Sequence, residues 1–203
     1  MLNNKKENKK MKKEVMILAG AGQIGMAIAR RMGYGMKIIV GDKSLNNAES
    51  ICDTMNKAGF DCLPIEMDLA SRESILSLIE EARKHGEISM LVNAAGVSPS
   101  QASIETILKV DMYGTAVLLE EVGKVIRPGG TGVTISSQSG HRMPALTPEQ
   151  DWQLAMTPAE ELLSLEMLQP ENIGNTLHAY QMAKRCNVKR VMAEAVKWGE
   201  RGA

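Results

Sequence analysis

From Val15 onward, short apolar runs alternate with longer stretches of helical period, and that alternation leaves few folds open. The runs VMILA (15–19), KIIVG (37–41), LPIEM (63–67), ISMLV (88–92) and GVTIS (132–136) read as strands. Most lack strict polar alternation, as strands covered on both faces do. Helical patterns occupy 23–33, 45–58, 71–85 and 101–127. Ser71, with Glu73 and Ser74 behind it, supplies a cap for the third, and Pro128-Gly129-Gly130 ends the fourth. Strands joined through helices pair in parallel by right-handed crossovers. The expectation is an α/β fold: a Rossmann-like, doubly wound parallel sheet in three α/β/α layers.

After the fifth strand the rhythm breaks. Residues 141–174 hold two helix-start patterns, Thr147-Pro148-Glu149-Gln150 and Thr157-Pro158-Ala159-Glu160. Each places a threonine to cap, Pro at the first helical position, and Gln or Glu three residues on. The segment reads as a helical insertion above the carboxyl ends of the strands, over the active site. A long amphipathic helix over 175–198 follows.

Composition removes several classes. A chain of 203 residues buries a full core without disulfides or metals. Formal net charge is zero, so there is no electrostatic footprint for nucleic acid. The start, MLNNKKENKKMKKE, holds six lysines in fourteen residues and reads as a basic, disordered lead-in over 1–14, with Met11 an alternative start. No apolar run approaches the roughly 18 residues of a membrane span, and the start lacks the apolar core of a signal peptide. Cys52, Cys62 and Cys186 show neither ligand spacing nor even pairing, which points to a reduced, cytoplasmic setting. His85, His141 and His178 have no metal-ligand spacing, so no metal is expected.

The stretch Gly20-Ala21-Gly22-Gln23-Ile24-Gly25 follows the first strand and opens the first helix. Its glycines permit a tight turn and close approach to a pyrophosphate seated on the helix N-terminus. Asp42 closes the second strand, seventeen residues beyond Gly25. A carboxylate there accepts from ribose hydroxyls and opposes a 2′-phosphate, favouring NAD over NADP, although Lys43 beside it pulls the other way. Asp68, with Leu69 just past the third strand, either meets an adenine or caps the helix at 71–85; the pattern leaves both open. Asn93-Ala94-Ala95-Gly96 ends the fourth strand with residues small enough for a cofactor to pass. Residues 15–203 thus read as one dinucleotide-binding domain.

Tyr180 and Lys184 lie four apart on one helix and share a face. A phenol near neutrality is a poor acid or base, but a neighbouring ammonium favours its ionised form. Such a pair moves a proton while hydride moves to or from a nicotinamide. The spacing alone arises by accident; the ordered set carries the weight. Glycine turn, terminal acid, NAAG, the serines of Ile135-Ser136-Ser137-Gln138-Ser139-Gly140, and YxxxK occur in sequence on matching elements.

That set resembles the short-chain dehydrogenase/reductase family from about Val15 to Ala203. The resemblance implies an oxidoreductase transferring hydride between a nicotinamide cofactor and a small alcohol or carbonyl substrate. Tyr180 would be the acid/base, Lys184 would bind the nicotinamide ribose and assist Tyr180, and Ser137 would hold the substrate oxygen, with Ser139 as fallback. Ser137 is preferred to Ser136 as the strand residue aimed at the cleft.

Four features depart from the family pattern. The glycine turn is GxGxxG rather than the commoner TGxxxGxG. Asp111, in Val110-Asp111-Met112-Tyr113, stands where the family has a relay asparagine; it would hold a relay water. Ser137 and Tyr180 are 43 residues apart, a gap resembling the longer loop of the 3α-hydroxysteroid dehydrogenase/carbonyl reductase branch. Finally, the chain stops where the family continues into a sixth strand, a substrate loop and a seventh strand. By the resemblance the sheet therefore lacks the last two family strands and leaves the fifth as an edge. The apolar surface this exposes invites a homo-oligomer. Two other readings share parts of the pattern: a catalytically silent NAD-binding protein, and an S-adenosylmethionine-dependent methyltransferase.

Overall fold

The apolar runs divide between the two faces of one sheet. The computed structural model describes residues 13–203, so all but the last two residues of the basic lead-in, Met11 included, lie outside the described residues. Five parallel strands, β1 (Glu14–Ala19), β2 (Lys37–Asp42), β3 (Asp61–Glu66), β4 (Glu87–Asn93) and β5 (Thr131–Thr134), stand in the order β3-β2-β1-β4-β5. Side chains alternate across a strand. Met16, Leu18, Ile38 and Val40 therefore face α1 (Gln23–Met32) and α2 (Leu45–Lys57). Val15, Ile17, Ala19 and Ile39 face α3 (Arg72–His85) and the helices that follow β4. Both faces are dry, which is why these runs carry no polar alternation. The three-layer doubly wound sheet is as the alternation predicts, with β5 at its edge.

Element boundaries moved where side chains intervene. β3 starts two residues earlier than expected because Asn56 clamps Cys62, accepting from its N–H at 2.8 Å and donating to its carbonyl at 3.2 Å. Pro64 is tolerated because β3 is an edge strand. β5 stops at Thr134 rather than 136. Ile135 still donates to the Asn93 carbonyl at 2.8 Å, and the chain then leaves the sheet for a 3₁₀ turn at Gln138–His141.

The helix expected over 101–127 begins later and is not uniform. Ser103 caps α4 (Ile104–Ile107), a π-helical segment fills Leu108–Gly114, and α5 runs Thr115–Val125. The wider turn buries the neighbours Asp111 and Met112 together. Gly114 closes the segment against the Leu69 carbonyl oxygen, where an added Cβ would sit 2.3 Å away.

Within the insertion, Thr147 caps α6 (Pro148–Met156) through the full reciprocal box with Gln150, at 3.2 and 2.9 Å. The second pattern behaves differently. The Thr157 N–H finishes α6 on the Gln153 carbonyl at 3.0 Å, so Pro158 becomes the cap residue of the short α7 (Ala159–Leu162). After a 3₁₀ turn at Glu166–Leu168, Asn175 caps α8 (Thr176–Glu200) by accepting from the His178 N–H at 2.9 Å. Gly202 accepts from the Gly129 N–H at 2.6 Å, tying the end of α8 to the turn before β5.

Leu154, Leu162, Leu168 and Ile173 are buried in the main core, so the insertion is a packed element. Asp151 of α6 receives Arg185 Nε at 2.9 Å and Nη2 at 2.5 Å, with Lys189 Nζ at 3.0 Å. His178 and Met182 line the same seam. At 100° per residue, Tyr180 stands about 160° round the helix from His178. α6 is thus seated across α8 from Tyr180.

Arg185 and then Lys189 hold the Asp151 carboxyl below the usual carboxylate range. A depressed folded-state value stabilises above the unfolded one and is lost as pH falls through it. Asp151→Asn should therefore lower stability by about 1–2 kcal/mol at neutral pH. Urea melts across pH should show the gap closing on acidification below about pH 4.

Candidate active site

Gly20 has φ +97°, and a Cβ there would lie 2.5 Å from the Ala95 nitrogen. The glycine is what lets the turn after β1 pass directly over the end of β4. Gly25 is packed as tightly, with the Gly20 carbonyl oxygen 2.7 Å from a would-be Cβ. Gly22 is the opposite case: it caps α1 with no side-chain bond, and nothing lies within 4 Å of a Cβ placed on it. The helix N-terminus therefore opens onto free space, at the point where the strand order switches between β1 and β4.

That space is a cleft of about 380 Å³. Gly20, Gly22, Asp42, Asp68, Leu69, Ala94, Ala95 and Gly96 all border it, together with Lys43. Gln23 and Ile24 do not border it; Ile24 points to solvent. Gly25 and Asn93 act from behind. Asn93 is buried and donates to Thr115 Oγ1 at 3.1 Å, fixing the end of β4 to α5.

Asp42 accepts from the Ala21 N–H at 2.8 Å and the Ser44 N–H at 2.9 Å, so it braces the glycine turn from the end of β2. Asp68 is not the helix cap; Ser71 is, accepting from the Ser74 N–H at 3.3 Å. Asp68 instead takes the Ala70 N–H at 2.9 Å and pairs with the exposed Lys43 at 3.0 Å. Partial burial pushes the Asp68 carboxyl up, but the Ala70 N–H and Lys43 outweigh it and hold it below its ordinary value.

Past the cleft, Lys184 Nζ lies 5.3 Å from the Tyr180 ring centre and 3.2 Å from Asp111 Oδ2. Asp111 is fully buried, and its Oδ1 accepts from the Val97 N–H at 2.8 Å. Asp111 and Lys184 thus meet directly as an ion pair. Burial pushes the Asp111 carboxyl above its ordinary value, against the pull of Lys184 and the Val97 N–H. Gly96 closes over both groups; a Cβ on it would approach the carboxylate and the ammonium to 3.2–3.3 Å.

The serines lie beyond β5 instead of ending it. Ser136 donates to the Lys184 carbonyl at 2.8 Å, one helical turn from Tyr180. Gly140 presses on the backbone of Arg185, 2.7 Å from its nitrogen if a Cβ were added. Ser137 caps the turn by accepting from the Ser139 N–H at 3.2 Å, which leaves its own hydroxyl hydrogen uncommitted. So Ser136 is spent on anchoring and Ser137 retains a donor.

Residues 13–148 match the family model described as short chain dehydrogenase. The short-chain dehydrogenase/reductase bsc3 of Alternaria brassicicola is 34% identical over 194 residues, covering 95% of this chain and 70% of that protein. The chain belongs to the short-chain dehydrogenase/reductase family. With that family comes the oxidoreductase class, and the methyltransferase reading falls away. Carbonyl reductase [NADPH] 1 of Homo sapiens is 24% identical over 163 residues, covering 74% of this chain and 59% of that protein. A short-chain dehydrogenase/reductase from Burkholderia phymatum, solved in complex with NAD, shares the fold at a TM-score of 0.63 and 17% identity, covering 87% of this chain and 57% of that one. Across these three the chain spans 57–70% of the other protein's length.

Sequence reading missed Asn187. It is buried on α8, and with its amide oriented to suit both neighbours it donates to the Asp111 carbonyl at 2.8 Å and the Ala183 carbonyl at 3.1 Å. The signal was present: a polar residue three beyond Lys184 on the apolar face of a helix. Among the described residues no group of three or more His, Cys, Asp and Glu is placed to hold a metal, and no helix is long and apolar enough to cross a membrane.

Two glycine substitutions should separate folding from binding in this family member. Gly22→Ala should melt within a degree or so of the parent yet lose dinucleotide affinity, since the methyl enters only the open cleft. Gly20→Ala should cost more than about 1–2 kcal/mol of stability from its backbone conformation alone. Parallel calorimetry and cofactor titration check both; equal effects from the two would refute the distinction.

Proposed function

We propose that this chain transfers hydride between NAD and a small alcohol or carbonyl compound, with Tyr180 as acid/base, Lys184 beside it and Ser137 on the substrate oxygen. The observation that carries the reading is the Lys184 ammonium 5.3 Å from the Tyr180 ring, on the helix that also anchors the serine loop. The open N-terminus of α1 above Gly22 and the cleft beside it fit a dinucleotide's pyrophosphate and ribose. A nicotinamide bound there supplies the hydride site. What the chain does is hold and move a proton. In the reducing direction Tyr180 gives its phenolic proton to the developing alkoxide, with the Lys184 ammonium beside its ring. Ser137 donates its free hydrogen to the same oxygen.

Asp42 supports the choice of NAD. Each of its oxygens receives one backbone N–H and keeps lone pairs for a ribose hydroxyl, while its charge opposes a 2′-phosphate. Lys43, a neighbouring cation suited to that phosphate, is paired with Asp68. The same reading includes cytoplasmic surroundings and a homo-oligomer, the latter supported by the exposed Trp152, Met156, Met192 and Val196.

Two measurements test the proposal. NADH should bind at least about tenfold more tightly than NADPH, and Asp42→Ala should narrow that ratio. Tighter binding of NADPH to the parent would reject the assignment of Asp42. In turnover with simple carbonyl substrates, Tyr180→Phe should lose about a thousandfold or more in kcat while still binding NADH. Retained turnover would remove Tyr180 from the chemistry.

A further inference from the structure

Two of the three cysteines meet in the layer between α2 and the sheet. On α2 the buried stripe is Ala48, Ile51, Cys52 and Met55, the spacing of a helix face laid on a sheet. Cys62 of β3 is the register partner of Ile38, and both belong to the core that α2 covers. The two thiols therefore point into one layer from opposite sides, the orientation a disulfide requires. Asn56 stands one turn beyond Cys52 on α2 and holds the Cys62 N–H at 2.8 Å and the Cys62 carbonyl at 3.2 Å. The turn between helix and strand is closed as well, with the Phe60 N–H on the Met55 carbonyl at 3.1 Å. Helix and strand are thus fixed to each other beside the thiols, and the Cys52 S–H donates to the Cys62 sulfur.

We propose that Cys52 and Cys62 are a redox pair, which a small peroxide converts into a disulfide tying α2 to the edge strand β3. Both are free thiols, 2% and 6% exposed, so a small oxidant enters where a bulky disulfide reagent does not. Cys62 is the attacking sulfur, because the thiolate is the reactive form. The hydrogen bond from Cys52 holds the Cys62 thiol below its ordinary value, with Lys37 acting in the same sense against burial and Asp61. Cys52, the donor in that bond and buried, is pushed up instead.

The Cys62 thiolate attacks one peroxide oxygen, the O–O bond breaks, and hydroxide leaves a sulfenic acid on Cys62. That hydroxide takes the Cys52 proton and becomes water. The Cys52 sulfur then attacks the sulfenic sulfur; the S–S bond forms, the S–O bond breaks, and the second hydroxide takes the proton first lost by Cys62. Two thiols and one peroxide give one disulfide and two waters, the sulfurs oxidised and the peroxide oxygens reduced. Cys186 is the contrast. It lies on α8 in the core of the opposite sheet face, donates to the Leu154 carbonyl at 3.6 Å, and burial pushes its thiol up to about 11.

The test needs neither cofactor nor turnover, so it stands apart from the proposed reaction. The reduced, folded chain is treated with hydrogen peroxide, then unfolded in an alkylating reagent and its thiols counted. Alkylatable thiols should fall from three to one, the survivor being Cys186, and dithiothreitol should restore all three. A peptide map without reductant should show the Cys52 and Cys62 peptides joined and two hydrogens lighter. In Cys52→Ser the reaction should stop at a sulfenic acid on Cys62, captured by dimedone; in Cys62→Ser, Cys52 should stay reduced. The proposal is overturned if Cys52 and Cys62 remain alkylatable at a dose that oxidises Cys186. It is overturned equally if Cys62 passes to sulfinic acid in the parent without joining Cys52, or if the bond forms between two chains.

Discussion

The molecule is organised around the contact between two stretches of backbone at the seam of β1 and β4. Gly20 crosses above Ala95 with no room for a side chain, so the turn after one strand rests on the end of its neighbour. A parallel sheet whose strand order switches at this seam must leave a crevice there, because the helices after β1 and β4 depart to opposite faces. Asp42 reaches in from β2 to brace the turn, Asn93 is fastened to Thr115 behind it, and Gly25 packs against Gly20 from below. Each part of the cleft is a consequence of keeping that crossing closed.

A second constraint works from the other side. α8 is buried against the π segment and α5, and the polar groups it takes inward must be satisfied there. Lys184 meets Asp111, Asn187 meets the Asp111 backbone, and Trp198 donates to the Leu119 carbonyl at 3.2 Å. An ammonium removed from water needs a counter-charge, and the irregular turn that swings Asp111 inward provides it. The site chemistry and the packing of α8 are one arrangement.

Much of this was legible in the residues. Val15–Ala19 and Ile38–Val40 are apolar at every position because both sheet faces are covered, and that pattern needs no tertiary knowledge. The caps Ser71 and Thr147 follow from local chemistry, and the structure places both as read; the glycine turn and Asp42 stand at the ends of β1 and β2, where the pattern put them. What escaped depends on partners distant in the chain. Nothing near Thr134 says that Ser136 will turn away to meet Lys184, and nothing near Asp111 says that its helix widens into a π turn. Asp68 and Lys43 were each judged by their own neighbours, while their pairing joins the ends of different strands. Thr157 looked like a cap because its local pattern matched one; the end of α6 claimed its N–H first.

The anchoring of the serine loop bears on how such a chain tolerates length. Ser137 and Tyr180 are far apart in sequence, yet Ser136 hangs on the carbonyl of Lys184 and α6 grips α8 on its other flank through Asp151. The excursion between them leaves α8 and returns to α8. Its length is then nearly free of consequence for the geometry at either end, since the entropy of closing a loop grows only with the logarithm of its length. An insertion pinned at both ends to a single rigid rod can be rewritten, lengthened or trimmed while the rod keeps Tyr180 and Lys184 in register. Variation in the insertion and constancy of the Tyr180–Lys184 face are thereby assigned to opposite sides of one helix.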